Sequence, residues 1–222
     1  MFAVIFEVAP KPEHWDTYLD YARMLRPELE RVDGFIDNDR FSSLQRPDWV
    51  LSLSTWRDEK AVVRWRTTAR HHEVQQKGRN EVFRDYHIRI GEITADSQLP
   101  AGEELREQRF DETRAPAKFI ALSEAFLDNL PPNPDAKTVG SRLGGPDQNE
   151  YPGLVDCDAL GSIYQPGKFL LLTSWRDPVA AARWPAGALP GNIRHRRIRV
   201  IRDYGMFDRE EAPQYYPPPA PR

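Results

Sequence analysis

Cysteine is almost missing from this chain. Of 222 residues only Cys157 carries a thiol, so no intrachain disulfide can form. No apolar run approaches the roughly 20 residues that a membrane-spanning helix needs. Met1 to Val8 reads as a strand rather than as a signal peptide. Together these absences lead to the expectation of a cytoplasmic protein with no membrane partner. A net charge of -3 gives no general attraction to nucleic acid or anionic lipid. The basic run 194–202 does not change that reading. Arg197 and Arg199 alternate with Ile198 and Val200, as in a strand with one solvated face, and no base-stacking aromatics accompany them. A glycine-rich phosphate loop, zinc-spaced cysteines and a Ser-His-Asp arrangement are also lacking.

What the chain does contain is itself, twice. Residues 54–65 (STWRDEKAVVRW) return as residues 173–184 (TSWRDPVAAARW) at a constant offset of 119. The match runs back without a gap through Gly34/Gly153, Asp37/Asp156, Asp39/Asp158 and Pro47/Pro166, and 13 of 32 positions are identical. Chance would leave about two. A unit of this size present only twice predicts two small domains rather than a solenoid.

In the first copy Phe2 to Ala9 is rich in β-branched and aromatic residues and predicts a strand. Trp15, Tyr18, Leu19, Ala22, Leu25, Leu29 and Val32 then follow helical spacing, with Pro27 expected to kink or divide that helix and Gly34 to follow it. Residues 35–45 and 49–56 predict two strands around the turn at 46–48. Leu51 and Leu53 lie on one face of the second, while Val50, Ser52, Ser54 and Trp56 lie on the other. A strand apolar on both faces needs cover on both sides. Asp58 is placed to cap a helix over 59–79, which makes Arg57-Asp58 a strand-to-helix junction rather than a catalytic pair. Residues 86–93 alternate as a fourth strand. The order is β-α-β-β-α-β, a ferredoxin-like unit in the α+β class.

Residues 96–117 predict an exposed linker with room for a short helix, and 118–207 a second unit. Its first helix is reduced to about two turns over 135–143 by the flanking prolines and glycines. Prolines and glycines after Trp184 end its second helix early. The closing strand aligns ambiguously, either Arg202 with Arg84 or Arg197 with His87. Residues 208–222 predict a proline-rich extended tail with little core contact, open to reading as a proline-motif ligand.

With these elements placed, the chain resembles the antibiotic biosynthesis monooxygenase family of the dimeric α/β barrel superfamily. The residues that carry the resemblance are the Ser54-Thr55-Trp56-Arg57-Asp58 strand end, Trp65, the stretch His71 to Arg79, and the last strand from Phe83 to Ile93. The resemblance implies that 1–95 and 118–207 pair their antiparallel sheets into an intramolecular α/β barrel, a pseudo-dimer that leaves room for further homodimerisation. It also implies cofactor-free monooxygenation of a quinol, anthrone or related polyphenol. The haem-degrading branch uses an Asn, a Trp and an axial His where this chain has Val8, Trp65 and Gln75, so haem is the lesser expectation and no cofactor or metal is expected.

Cofactor-free oxygenation needs an apolar pocket, a base and exclusion of water. Trp15, Tyr18 and Trp65 can wall such a pocket, Ser52 and Ser54 leave it space, and His71 lies beside it. His72 is the first candidate base because imidazole titrates near working pH. Glu7 is the second, although its repetition as Glu124 fits a structural role equally well. The less degraded first copy is the expected home of the site. A non-catalytic small-molecule binding or interaction protein on the same barrel is the alternative function.

Overall fold

The structure is a computed structural model and describes residues 1–146, 151–184, 192–214 and 216. Eight strands close a barrel: β1 (Phe2–Pro10), β2 (Phe35–Ser43), β3 (Val50–Trp56), β4 (Phe83–Asp96), β5 (Phe119–Phe126), β6 (Leu154–Ser162), β7 (Lys168–Trp175) and β8 (Arg194–Gly205). Their order around it is β1-β3-β2-β6-β7-β5-β8-β4. The helices are α1 (Trp15–Leu29), α2 (Glu59–Arg66), α3 (Ala69–Lys77), α4 (Ala136–Arg142) and α5 (Pro178–Arg183). The ferredoxin-like order is therefore present twice. The halves meet at two antiparallel seams, Phe41–Ser43 against Leu160–Ser162 and His87–Asp96 against Arg196–Gly205.

Strand alternation explains what fills the barrel. Ile5, Leu51 and Leu53 from the first half interdigitate with Leu122, Leu170 and Leu172 from the second, all 2% exposed or less. The sheet of one copy covers the inner face of the other, so neither half can bury its strands alone. Helices cover the outer faces.

The repeated residues are structural. Asp58 accepts from Ala61 N and Asp177 from Ala180 N, each at 2.8 Å, satisfying first-turn N–H groups. Gly34 and Gly153 have φ of +89° and +106°, and a Cβ on either would lie 2.7 Å from the methyl of Ala61 or Ala180. Gly and Ala recur together because they pack against each other.

Four details differ from the sequence reading. Pro27 does not divide α1: it sits at an exposed position in the last turn. The expected helix over 59–79 breaks at Thr67–Thr68 into α2 and α3, followed by a wide turn at Gly78–Val82. The linker carries no helix; Leu105 from it packs against the barrel interior. The closing strands align differently from both alternatives. Ile5 pairs with Arg89 as Leu122 pairs with Arg196, which makes Arg196 the counterpart of Arg89. The chain after Trp184 to residue 191, and most of the proline-rich end, lies outside the described residues.

Candidate active site

A cavity of about 210 Å³ opens between the outer face of the first-half sheet and its helices. Residues alternate along β1 and β3, so Val4, Phe6, Ser52, Ser54 and Trp56 face it while Ile5, Leu51 and Leu53 point into the barrel. Tyr18, Ala22 and Leu25 of α1 form one wall, and Trp65, His71 and Gln75 another. Phe83, Tyr86 and Ile88 of β4 continue the apolar lining. Ser52 and Ser54 are small where they face the cavity, which leaves it its depth.

The helix break decides which histidine reaches this space. In one unbroken helix His72 would share a face with Trp65. The turn at Thr67–Thr68 instead lays His71 on the Trp65 indole, with ring centroids 4.2 Å apart and planes 16° from parallel. Trp65 O lies 3.0 Å from His71 Nδ1, and a carbonyl can only accept, so Nδ1 carries the proton and Nε2 keeps its lone pair. The Gln75 amide nitrogen is 3.5 Å from that Nε2, and Gln75 Oε1 accepts from Tyr216 Oη at 3.1 Å. Burial pushes the His71 pKa down to about 4, so the ring is neutral at ordinary pH.

His71 sets a pH dependence with a definite sign. The unfolded ring takes up a proton near 6.5 and the folded ring only near 4, so stability is lost as pH falls through that window. The loss is up to about 3 kcal/mol from this group alone. Urea denaturation at pH 7 and 4.5 should show it, and His71→Asn should remove its share; an unchanged pH slope in the variant would refute it.

His72 sits outside the cavity lining. It stacks on Tyr216 at 5.9 Å, with Tyr216 Oη 3.3 Å from Nδ1. Glu7 is on the opposite face of β1, 3% exposed inside the barrel. Arg89 and Arg46 bind its two oxygens, Arg46 at 2.5 Å. Burial raises the Glu7 pKa, but the two guanidiniums more than offset this and hold it below its usual value. It is an ionised strut, and its repeat Glu124 binds Arg196 at 2.9 Å. Trp15 packs behind the wall with Val8 and Tyr18 rather than lining it. Tyr18, Ser52, Ser54, Trp65 and His71 are brought together; Glu7, Trp15 and His72 are not.

Several lining residues escaped the sequence reading. Asn38 and Arg40 of β2 face the cavity, with Arg40 Nη1 donating to Asn38 Oδ1 at 3.0 Å and Asn38 Nδ2 to Ser52 Oγ at 3.1 Å. The Tyr18 hydroxyl lies beside Arg40 without closing a hydrogen bond; burial raises its pKa and the guanidinium works against this. Arg66, Arg79, Tyr204 and Arg209 line the other end. The tail also returns, contrary to the expectation of little contact: Pro213, Gln214 and Tyr216 complete the lining.

A signal for these positions was present in the offset of 119. Asn38, Arg40, Ser52 and Arg66 correspond to Cys157, Ala159, Leu171 and Pro185. In the second half the matching layer is an apolar core that includes Val139, Leu143, Ala159, Phe169 and Leu171. The copies differ most in polarity where the first lines this cavity and the second packs apolar side chains. Among the described residues no three His, Cys, Asp or Glu side chains gather as metal ligands, and no helix is long and apolar enough to cross a membrane.

The profile of the family described as antibiotic biosynthesis monooxygenase matches residues 1–77. A Pyricularia oryzae protein named jasmonate monooxygenase ABM is 43% identical over 98% of this chain and 99% of its own length. A conserved protein from Methanosarcina mazei Go1 is 21% identical over 40% of this chain and 88% of its own, with a TM-score of 0.38. An anthrone oxidase-like protein is 11% identical over 96% of both chains, with a TM-score of 0.36.

Proposed function

Because the chain belongs to the antibiotic biosynthesis monooxygenase family, we propose that it oxygenates a small, mostly apolar molecule in the first-half cavity without a bound cofactor. The observation that supports this most is the cavity itself. It is walled by Phe6, Trp56, Trp65 and Ile88, and it holds one neutral histidine whose bare Nε2 can accept a proton or hydrogen bond. Such a wall excludes water from a reactive carbanion or peroxide. A lowered pKa makes His71 a weak base, so its part is to orient an acidic C–H or O–H group already prone to ionise.

Two substrate classes follow from different supports. The relative's name puts forward a jasmonate; the family resemblance puts forward quinols and anthrones. Electron balance separates them. Taking an activated CH₂ to C=O consumes one O₂ and releases one water with no outside reductant, whereas hydroxylating a lone C–H needs two further electrons. Small-molecule binding without turnover is the second reading, favoured by a barrel interior filled with side chains and closed to substrate.

The test is turnover under isotopically labelled dioxygen with jasmonate, an anthrone and a quinol, with and without a nicotinamide or flavin donor. One labelled oxygen per product, abolished by His71→Ala while binding persists, is the expected result. Ligand binding with no incorporation under any condition would leave the binding reading instead. A requirement for the donor would overturn the cofactor-free part.

A further inference from the structure

We propose that Arg66 and Arg209 form an anchor for a carboxylate, so that the cavity takes a small apolar acid with its anionic end toward Pro213, Gln214 and Tyr216. This rests on the reading of the cavity as the substrate site and names the class of substrate.

The argument comes from how this molecule treats its other arginines. Around the barrel four enclosed guanidiniums have acids: Arg89 with Glu7, Arg196 with Glu124, Arg194 with Asp96 and Arg199 with Glu92. That is the ordinary rule, since an enclosed charge without a counter-charge is costly. The cavity breaks it. Among the described residues no Asp or Glu lines the cavity, and neither Arg66 nor Arg209 pairs with an acid. Arg209 donates, among the described residues, to neutral groups: Tyr86 Oη and Gln214 O at 2.9 Å and Gly205 O at 3.3 Å. Its Nε and that of Arg66 are buried without a partner, as are those of Arg89 and Arg196, so the contrast lies in the acid alone.

The two belong to one cluster. The Arg209 guanidinium lies 5.2 Å from the Tyr204 ring centroid and 5.3 Å from that of Tyr216, and Arg66 acts electrostatically on both phenols. The Tyr204 hydroxyl stays protonated, its pKa pushed up to about 12 by burial, and cannot serve as the missing anion. A carboxylate accepts from guanidinium forks in a way a neutral phenol or ketone cannot match. With the apolar walls on the far side, such an acid would enter ring or chain first.

The experiment measures affinity by tryptophan fluorescence in the full chain, comparing jasmonate with its methyl ester and phenylbutyrate with its methyl ester. Each acid should bind at least about tenfold more tightly than its ester. Arg66→Met should cut the acid-over-ester preference at least about threefold, since Arg209 remains, and Arg66→Lys should restore part of it. Acid and ester binding equally to the native chain, or an undiminished preference in a folded Arg66→Met, would overturn the anchor, and so would no binding of either pair. Acid selectivity without oxygen incorporation would refute the proposed reaction and leave the anchor standing. Turnover of neutral quinols with no acid preference would do the reverse.

Discussion

Arg89→Met is expected to lower folding stability by about 3 kcal/mol, read as a shift of the urea midpoint at pH 7. Glu7 and Arg89 are 4% and 3% exposed at their side chains, so water cannot replace a lost partner. Removing one member of a buried pair costs about 3–5 kcal/mol. The lower end applies because Arg46, itself 36% exposed, still reaches Glu7. Arg89 also donates to Ser174 Oγ at 2.7 Å, so the substitution cuts a tie between the halves. Replacing both partners, with Glu7→Leu added to Arg89→Met, should recover much of the loss because no orphaned charge remains. A single variant within about 0.5 kcal/mol of the native chain would show that the pair does not hold the barrel.

Trp56→Ala and Trp175→Ala should each cost about 3–5 kcal/mol, since each empties a fully buried site. They should differ in function. Trp56 packs against Phe35 at 5.4 Å and also lines the cavity, so its loss both destabilises and reshapes the site. Trp175 stacks on Trp184 at 5.8 Å in the core of the second half. Under conditions where both variants remain folded, ligand affinity should drop in the first and hold in the second. Equal losses of affinity would mean that the site spans both halves.

The contrast between those tryptophans shows how far the sequence could be read. Trp56 and Trp175 are identical in context, each Nε1 donating at 2.9 Å to a hydroxyl two residues earlier, Ser54 or Thr173. Their equivalence was legible at the offset of 119. The difference in their surroundings was written in neighbours that look unremarkable one at a time, such as Ser52 against Leu171. His72 ranked above His71 in the sequence because helical spacing from Trp65 assumed an unbroken helix. Two threonines, with modest helix preference and side chains that bond back to the carbonyls of Val63 and Arg64, mark where that assumption ends.

The sequence by itself determined the duplicated βαββαβ order, the two-faced strands and the capped Asp58 and Asp177 junctions. These follow from local periodicity and from residues that meet within a few positions of each other. Only the tertiary structure decided that Glu7 is an ionic strut, that Pro213, Gln214 and Tyr216 return to the first-half cavity, and that Arg66 and Arg209 both line it. Those outcomes depend on which face of a closed barrel a strand turns inward, and on contacts between residues more than a hundred positions apart.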